Sequence, residues 1–173
     1  MTLQATDVDN FSKQIKVTLA VIARRSAAAL SPSPGRVVLI APGSQVAHDD
    51  CCNGQVWSRL VSLAPMPSND PARRPGTNPC AVPELLLTAE LGIVRCAATV
   101  NDRGEAPSAR QITADGEQSI DDMSALLGVL RCTDNLRSLV SWTPTGPEGG
   151  CHGGYWTYTM RIPNCLGCEE IGD

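Results

Sequence analysis

The sequence predicts an α+β domain in which one mostly antiparallel sheet carries two helices on one face. Three observations predict it. Residues 7–29 and 108–133 set apolar side chains at helical spacing. Shorter stretches alternate with period two, or run apolar between breakers. The strand runs are bracketed by helices rather than interleaved with them one by one. At 173 residues the chain suits one domain, placed here at 1–163, with 164–173 as a C-terminal tail.

The first helix is expected over about Asp7–Ala29, with Val8, Phe11, Ile15, Leu19 and Ile22 on one face. Thr6 and Asp9 form a candidate capping pair at its start. Ser31-Pro32-Ser33-Pro34-Gly35 breaks it. Arg36–Ala41 reads as a short strand, 43–54 as a loop and Gln55–Ala64 as a second strand. The polar, proline-rich stretch from Ser68 to Pro79 reads as a long exposed loop that orders against a partner.

Glu84–Ala97 is the best core strand. Leu85, Leu87, Ala89, Leu91 and Ile93 face a buried layer, and Glu84, Leu86, Thr88, Glu90, Gly92 and Val94 face the other way. That second, mixed set suits a sheet face covered by a neighbouring subunit. The second helix is expected over about 108–133, with Ile112, Gly116, Ile120, Met123, Leu127 and Leu130 as its inner stripe. Gly116 there marks either close packing on the sheet or a break. A terminal hairpin follows. Leu136–Val140, ending at Trp142, pairs with a strand after Gly154, in which Trp156, Tyr158, Met160 and Ile162 alternate with Tyr155, Thr157, Thr159 and Arg161. Residues 144–154 are the connection.

Composition bounds the function. Only 3% of residues are aromatic, so the core must be aliphatic. The net charge is -4, and Arg24-Arg25 and Arg73-Arg74 are the only adjacent basic pairs, so no basic stripe marks a nucleic-acid binder. The first ten residues are polar and acidic, unlike a secretory signal, and no apolar run approaches the ~20 residues of a membrane span. No membrane partner is expected.

Eight cysteines stand out: Cys51, Cys52, Cys80, Cys96, Cys132, Cys151, Cys165 and Cys168. Disulfides, zinc and plain buried thiols all remain open. For disulfides, Cys96 at the end of the core strand and Cys132 at the end of the second helix are one candidate pair. Cys51 or Cys52 with Cys80 is another. For zinc, Cys165-Leu166-Gly167-Cys168 has the spacing of one knuckle. Cys51, Cys52, Cys151 or His152 would have to supply the rest. A single knuckle makes a weak signature, and neither metal nor any other cofactor is expected.

No catalytic residue is assigned. His48-Asp49-Asp50-Cys51-Cys52 is a loop of turn formers, and adjacency does not create a base–thiol pair. The glycines from 146 to 154 lack the lysine and following helix of a phosphate cradle. The adjacent carboxylates Asp49/Asp50, Asp121/Asp122 and Glu169/Glu170 read as solvated surface. An assembly protein, not an enzyme, is the expectation.

Short motifs in order support it: Asp50-Cys51-Cys52-Asn53-Gly54-Gln55 opening a strand, Pro79-Cys80 before the next, Val94-Arg95-Cys96 at its end, and Gly146-Pro147-Glu148-Gly149-Gly150-Cys151 before the last. Over roughly residues 8–162 the chain resembles tail terminator proteins of long-tailed (siphovirus-type) actinobacterial phages. The resemblance implies a homo-oligomeric six-fold ring at the tail–neck junction of a virion, synthesised in the host bacterial cytoplasm. Such a ring caps the tail tube, ends its elongation and docks the head. The implied partners are the major tail tube protein on one side and a head-completion or stopper protein on the other. Genome DNA would pass through the lumen without specific binding, which the mildly negative charge suits. Arg73 and Arg74, with Gly149, Gly150, His152 and Gly153, are the candidate inter-subunit contacts. The alternatives are a head-closure (stopper) or other connector ring protein, and a zinc-stabilised binding module.

Overall fold

The computed structural model describes residues 5–44, 46–47, 51–66, 84–100 and 103–163. The chain forms α1 (Ala5–Ala29), β1 (Arg36–Val38), a 3-10 turn (Cys51–Asn53), β2 (Gln55–Pro65), β3 (Glu84–Cys96), α2 (Ala109–Arg131), β4 (Leu136–Glu148) and β5 (Cys151–Pro163). The sheet order is β1-β2-β3-β5-β4. Among the described strands only the β1–β2 pair is parallel. The α+β class is therefore as the sequence predicts.

The core lies between the helices and one face of the sheet. Leu87, Ala89, Leu91 and Ile93 of β3, Tyr158, Met160 and Ile162 of β5, and Val56 of β2 meet Leu19 and Ile22 of α1 and Leu126 and Leu130 of α2. Burying each Leu, Ile, Val or Met side chain among them contributes about 1.5–3 kcal/mol. The period-two reading of β3 and β5 thus places the right side chains inside. Trp156 joins this layer and donates its indole N–H to the Met123 carbonyl of α2, at 3.0 Å.

α1 begins at Ala5, ahead of the expected Thr6–Asp9 cap, and ends before the Ser31–Gly35 breaker. Ser26 lies in its buried stripe and returns its hydroxyl to the Ile22 carbonyl. The side chains of Val8 and Phe11 lie outside the described set. β1 is shorter than expected, because pairing stops after Val38↔Trp57.

α2 opens with a capping box in which Ser108 and Gln111 satisfy each other's backbone groups. It runs unbroken through Gly116, where an added Cβ would meet nothing within 4 Å. Gly116 therefore marks neither a break nor a close approach. The expected inner stripe is also wrong in the first half of the helix. Ile112 and Ile120 are 59% and 60% exposed, while Asp122 is buried. The reason is polar. Asp115 accepts from the Ala98 backbone N–H, and Asp122 accepts two bonds from the Arg95 guanidinium, at 2.6 and 2.8 Å. Arg95 also donates to the Pro32 carbonyl, tying β3 to both the α1 exit and α2. Asp122 is thus no solvated surface carboxylate, and the hydrophobic pattern misleads wherever such a pair competes for the inner face.

The terminal hairpin differs as well. β4 continues past Trp142 to Glu148, and only Gly149 and Gly150 turn the chain. β4 is an edge strand, so Pro144 and Pro147 fit there: an edge residue can face solvent with the position where its N–H would be. Gly149 and Gly150 take φ of 59° and 79°, as a two-residue hairpin turn requires.

Candidate interaction surface

Both helices pack on one face of the sheet, so the other face is built by strand register alone. Side chains on it line up in rungs across four strands. One rung is Trp57–Gly92–Tyr155–Thr143. The next is Arg59–Glu90–Thr157–Ser141, and the third is Ser62–Thr88–Thr159–Ser138.

Each rung has its own chemistry. Gly92 has no side chain, so the Trp57 indole lies over it; a Cβ there would sit 2.3 Å from Trp57 Cζ2. Trp57 then meets Tyr155 with ring centroids 5.8 Å apart and planes at 49°. This tilted arrangement avoids the face-to-face sandwich that aromatic quadrupoles disfavour. In the second rung the Arg59 guanidinium Nε donates to Glu90 Oε2 at 2.5 Å, and its Nη1 donates to the Gly43 carbonyl. Glu90 is only 6% exposed, so the pairing keeps a buried carboxylate satisfied. In the third rung the Ser138 and Thr159 hydroxyls share a hydrogen bond at 2.7 Å. Arg161 pairs with Glu84 farther along the same face. The face is thus hydroxyl-rich, and these two ion pairs neutralise their own charges.

Where β2, β3 and β5 meet Ser44, Val46, Ala47 and the hairpin tip, the face hollows into a cleft of about 600 Å³. Trp57, Tyr155, Arg59, Glu90, Glu148 and His152 line it. The arrangement offers aromatic packing, hydroxyls and one exposed carboxylate, Glu148, to a bound segment.

The cysteines complete this end of the sheet. Cys51 is bonded to Cys151, and Cys52 to Cys96. The expected Cys96–Cys132 pair does not form: Cys132 caps α2 as an exposed free thiol. Helix α2 delivers Cys132 to the far end from Cys96, because the Arg95–Asp122 pair fixes which part of the helix meets the strand end. Cys51 and Cys52 are both bonded elsewhere, so neither pairs with Cys80. While these disulfides are formed, neither is available to complete a zinc site with Cys165 and Cys168. Cys80, Cys165, Cys168, His48, Asp49, Asp50, Glu169, Glu170, Arg73 and Arg74 lie outside the described residues.

The remaining predicted contacts separate. At Gly149 an added Cβ meets nothing within 4 Å, so the hairpin tip is open. Gly153 is not open. A Cβ there would sit 2.0 Å from the Ile93 carbonyl oxygen, so its close approach is to β3 of the same chain. His152 pairs in register with Arg95 and lines the cleft. Sequence reasoning missed the Trp57–Tyr155 and Arg59–Glu90 contacts. Alternation within each strand was legible, but the register that sets one strand against another was not.

No protein-family model matches the chain, and no curated protein matches it. Among the described residues no helix is long and apolar enough to cross a membrane.

Proposed function

We propose that this chain is a ring-forming structural protein of a phage tail neck, a tail terminator that caps the tail tube and docks the head. One observation carries the reading: a sheet with helices on one face only keeps its other face and both edges for contacts outside the described chain. β1 pairs only with Gln55–Trp57, so among the described residues most of the outer edge of β2 carries no strand. That part of β2 exposes Leu60, Val61 and Leu63. β4 forms the opposite edge and exposes Val140. The two edges differ, so contact between them is head-to-tail, and such contacts close into rings when the rotation allows. The hydroxyl rungs and neutralised ion pairs suit a wall past which a polyanion moves without being held.

Two experiments test this. Native mass spectrometry and negative-stain imaging of the purified chain should show a six-fold ring. Deleting its gene from the phage should give overlong tails without heads. Normal-length tails beside leaking filled heads would move the protein to the head-closure position. Intact virions would refute a neck role.

A further inference from the structure

Four cysteines from three separate segments converge at the open end of the sheet. Cys51 and Cys52 are consecutive in the 3-10 turn, while Cys96 and Cys151 are directly opposed at the ends of β3 and β5. The Cα atoms are 5.9 Å apart for Cys51 and Cys151, and 4.1 Å apart for Cys52 and Cys96. Gly54, Gly149 and Gly150, with φ of 72°, 59° and 79°, make the tight turns that bring these segments together. The group is buried on one side and open on the other: Cys51 is buried, Cys151 half-buried, and Cys52 and Cys96 exposed.

We propose that Cys51, Cys52, Cys96 and Cys151, when reduced, form a four-thiolate site for one soft divalent cation, zinc above all. A tetrahedral zinc holds sulfurs at about 2.3 Å, which sets neighbouring sulfurs about 3.8 Å apart. The two Cα separations above put each pair within reach of one shared metal, and the opposed ends of β3 and β5 bring the two pairs side by side. Vicinal Cys51 and Cys52 do not make the usual knuckle, whose cysteines are two to four residues apart. Here strand register supplies the second pair of ligands. Among the described residues no group of three or more His, Cys, Asp or Glu is placed to hold a metal, and a sulfur held in a disulfide is not a thiolate ligand. The disulfide and metal forms therefore exclude each other. A dithiol reductant supplies two electrons and two protons to each disulfide and is itself oxidised to a disulfide. Zinc then displaces the four thiol protons and binds four thiolates. A chain folding in a reducing cytosol would meet zinc before any oxidant.

The test does not depend on the ring reading, since metal content and oligomeric state are measured separately. The full chain, and a variant with Cys80, Cys132, Cys165 and Cys168 all changed to serine, are purified with a dithiol reductant and without chelator. About one zinc per chain is expected in both by elemental analysis. Cobalt(II) in its place should give the thiolate charge-transfer and tetrahedral d–d bands of a four-sulfur site. Adding Cys96→Ser to the variant should weaken binding at least tenfold, with circular dichroism confirming the fold. If that variant does not fold, zinc protection of the same four cysteines from alkylation in the unmutated chain replaces it. Four reactive thiols in a folded, metal-free chain would overturn the proposal. So would zinc that disappears with Cys165 and Cys168, or disulfides that survive the reductant.

Discussion

Tyr158 lies fully buried, and its hydroxyl has no hydrogen-bond partner among the described residues. Burial pushes its phenol well above the ordinary value of 10.0. The unfolded chain would release this proton near pH ~10 while the folded chain holds it, so stability falls as pH rises above that point and is unaffected below it. Tyr158→Phe removes an unpaired buried hydroxyl. It should raise stability by about 1 kcal/mol near neutral pH and flatten the alkaline decline, as read by urea unfolding. Asp122 is the opposite case. Asp122→Asn leaves Arg95 without its charge partner and should cost about 3–5 kcal/mol. The double change Arg95→Met with Asp122→Leu should recover most of that loss, because it removes both charges together. The inward placement of Tyr158 was legible in the sequence, but that of Asp122 was not: it sits beside Asp121 and looks like surface until Arg95 is folded onto it.

Among the elements, the β3–β5 pair governs the architecture, since it runs from Glu84↔Pro163 to Cys96↔Cys151 without a break. Gly153→Ala would drive a methyl group into the Ile93 carbonyl of that ladder. It should cost about 3 kcal/mol or more and lower the yield of folded protein. Gly149→Ala, at the open hairpin tip, meets only the left-handed backbone penalty of about 1–2 kcal/mol. Thermal unfolding of the two variants side by side checks the contrast. In the oxidised chain the Cys51–Cys151 bridge spans a sequence separation of 100, so Cys51→Ser should cost about 4–5 kcal/mol on the chain-entropy account. Unfolding curves taken without reductant read that loss.

For the whole molecule, the one-sided helical layer leaves the sheet asymmetric, and the proposed ring uses that asymmetry. Val140 is 60% exposed on the edge strand β4. Val140→Lys should leave the isolated chain within about 0.5 kcal/mol of its original stability. The same change should abolish the ring in native mass spectrometry, because a charge on an edge strand opposes strand-edge association. A ring that survives Val140→Lys would move the contact away from this edge.

Periodicity and breakers by themselves determined the class, the element order and the inner faces of β3 and β5, because these depend on local side-chain alternation and on where proline and glycine interrupt it. They also marked the cysteines and the hairpin glycines as unusual. Only the tertiary structure decided which side of α2 faces inward, where β4 ends and which cysteines meet. Each of those depends on a partner far away in sequence. Arg95 turns Asp122 inward across 27 residues, and Cys51 reaches Cys151 across 100. A one-dimensional pattern carries each residue's own preference for burial, but register and pairing arise only when two distant segments compete for the same space.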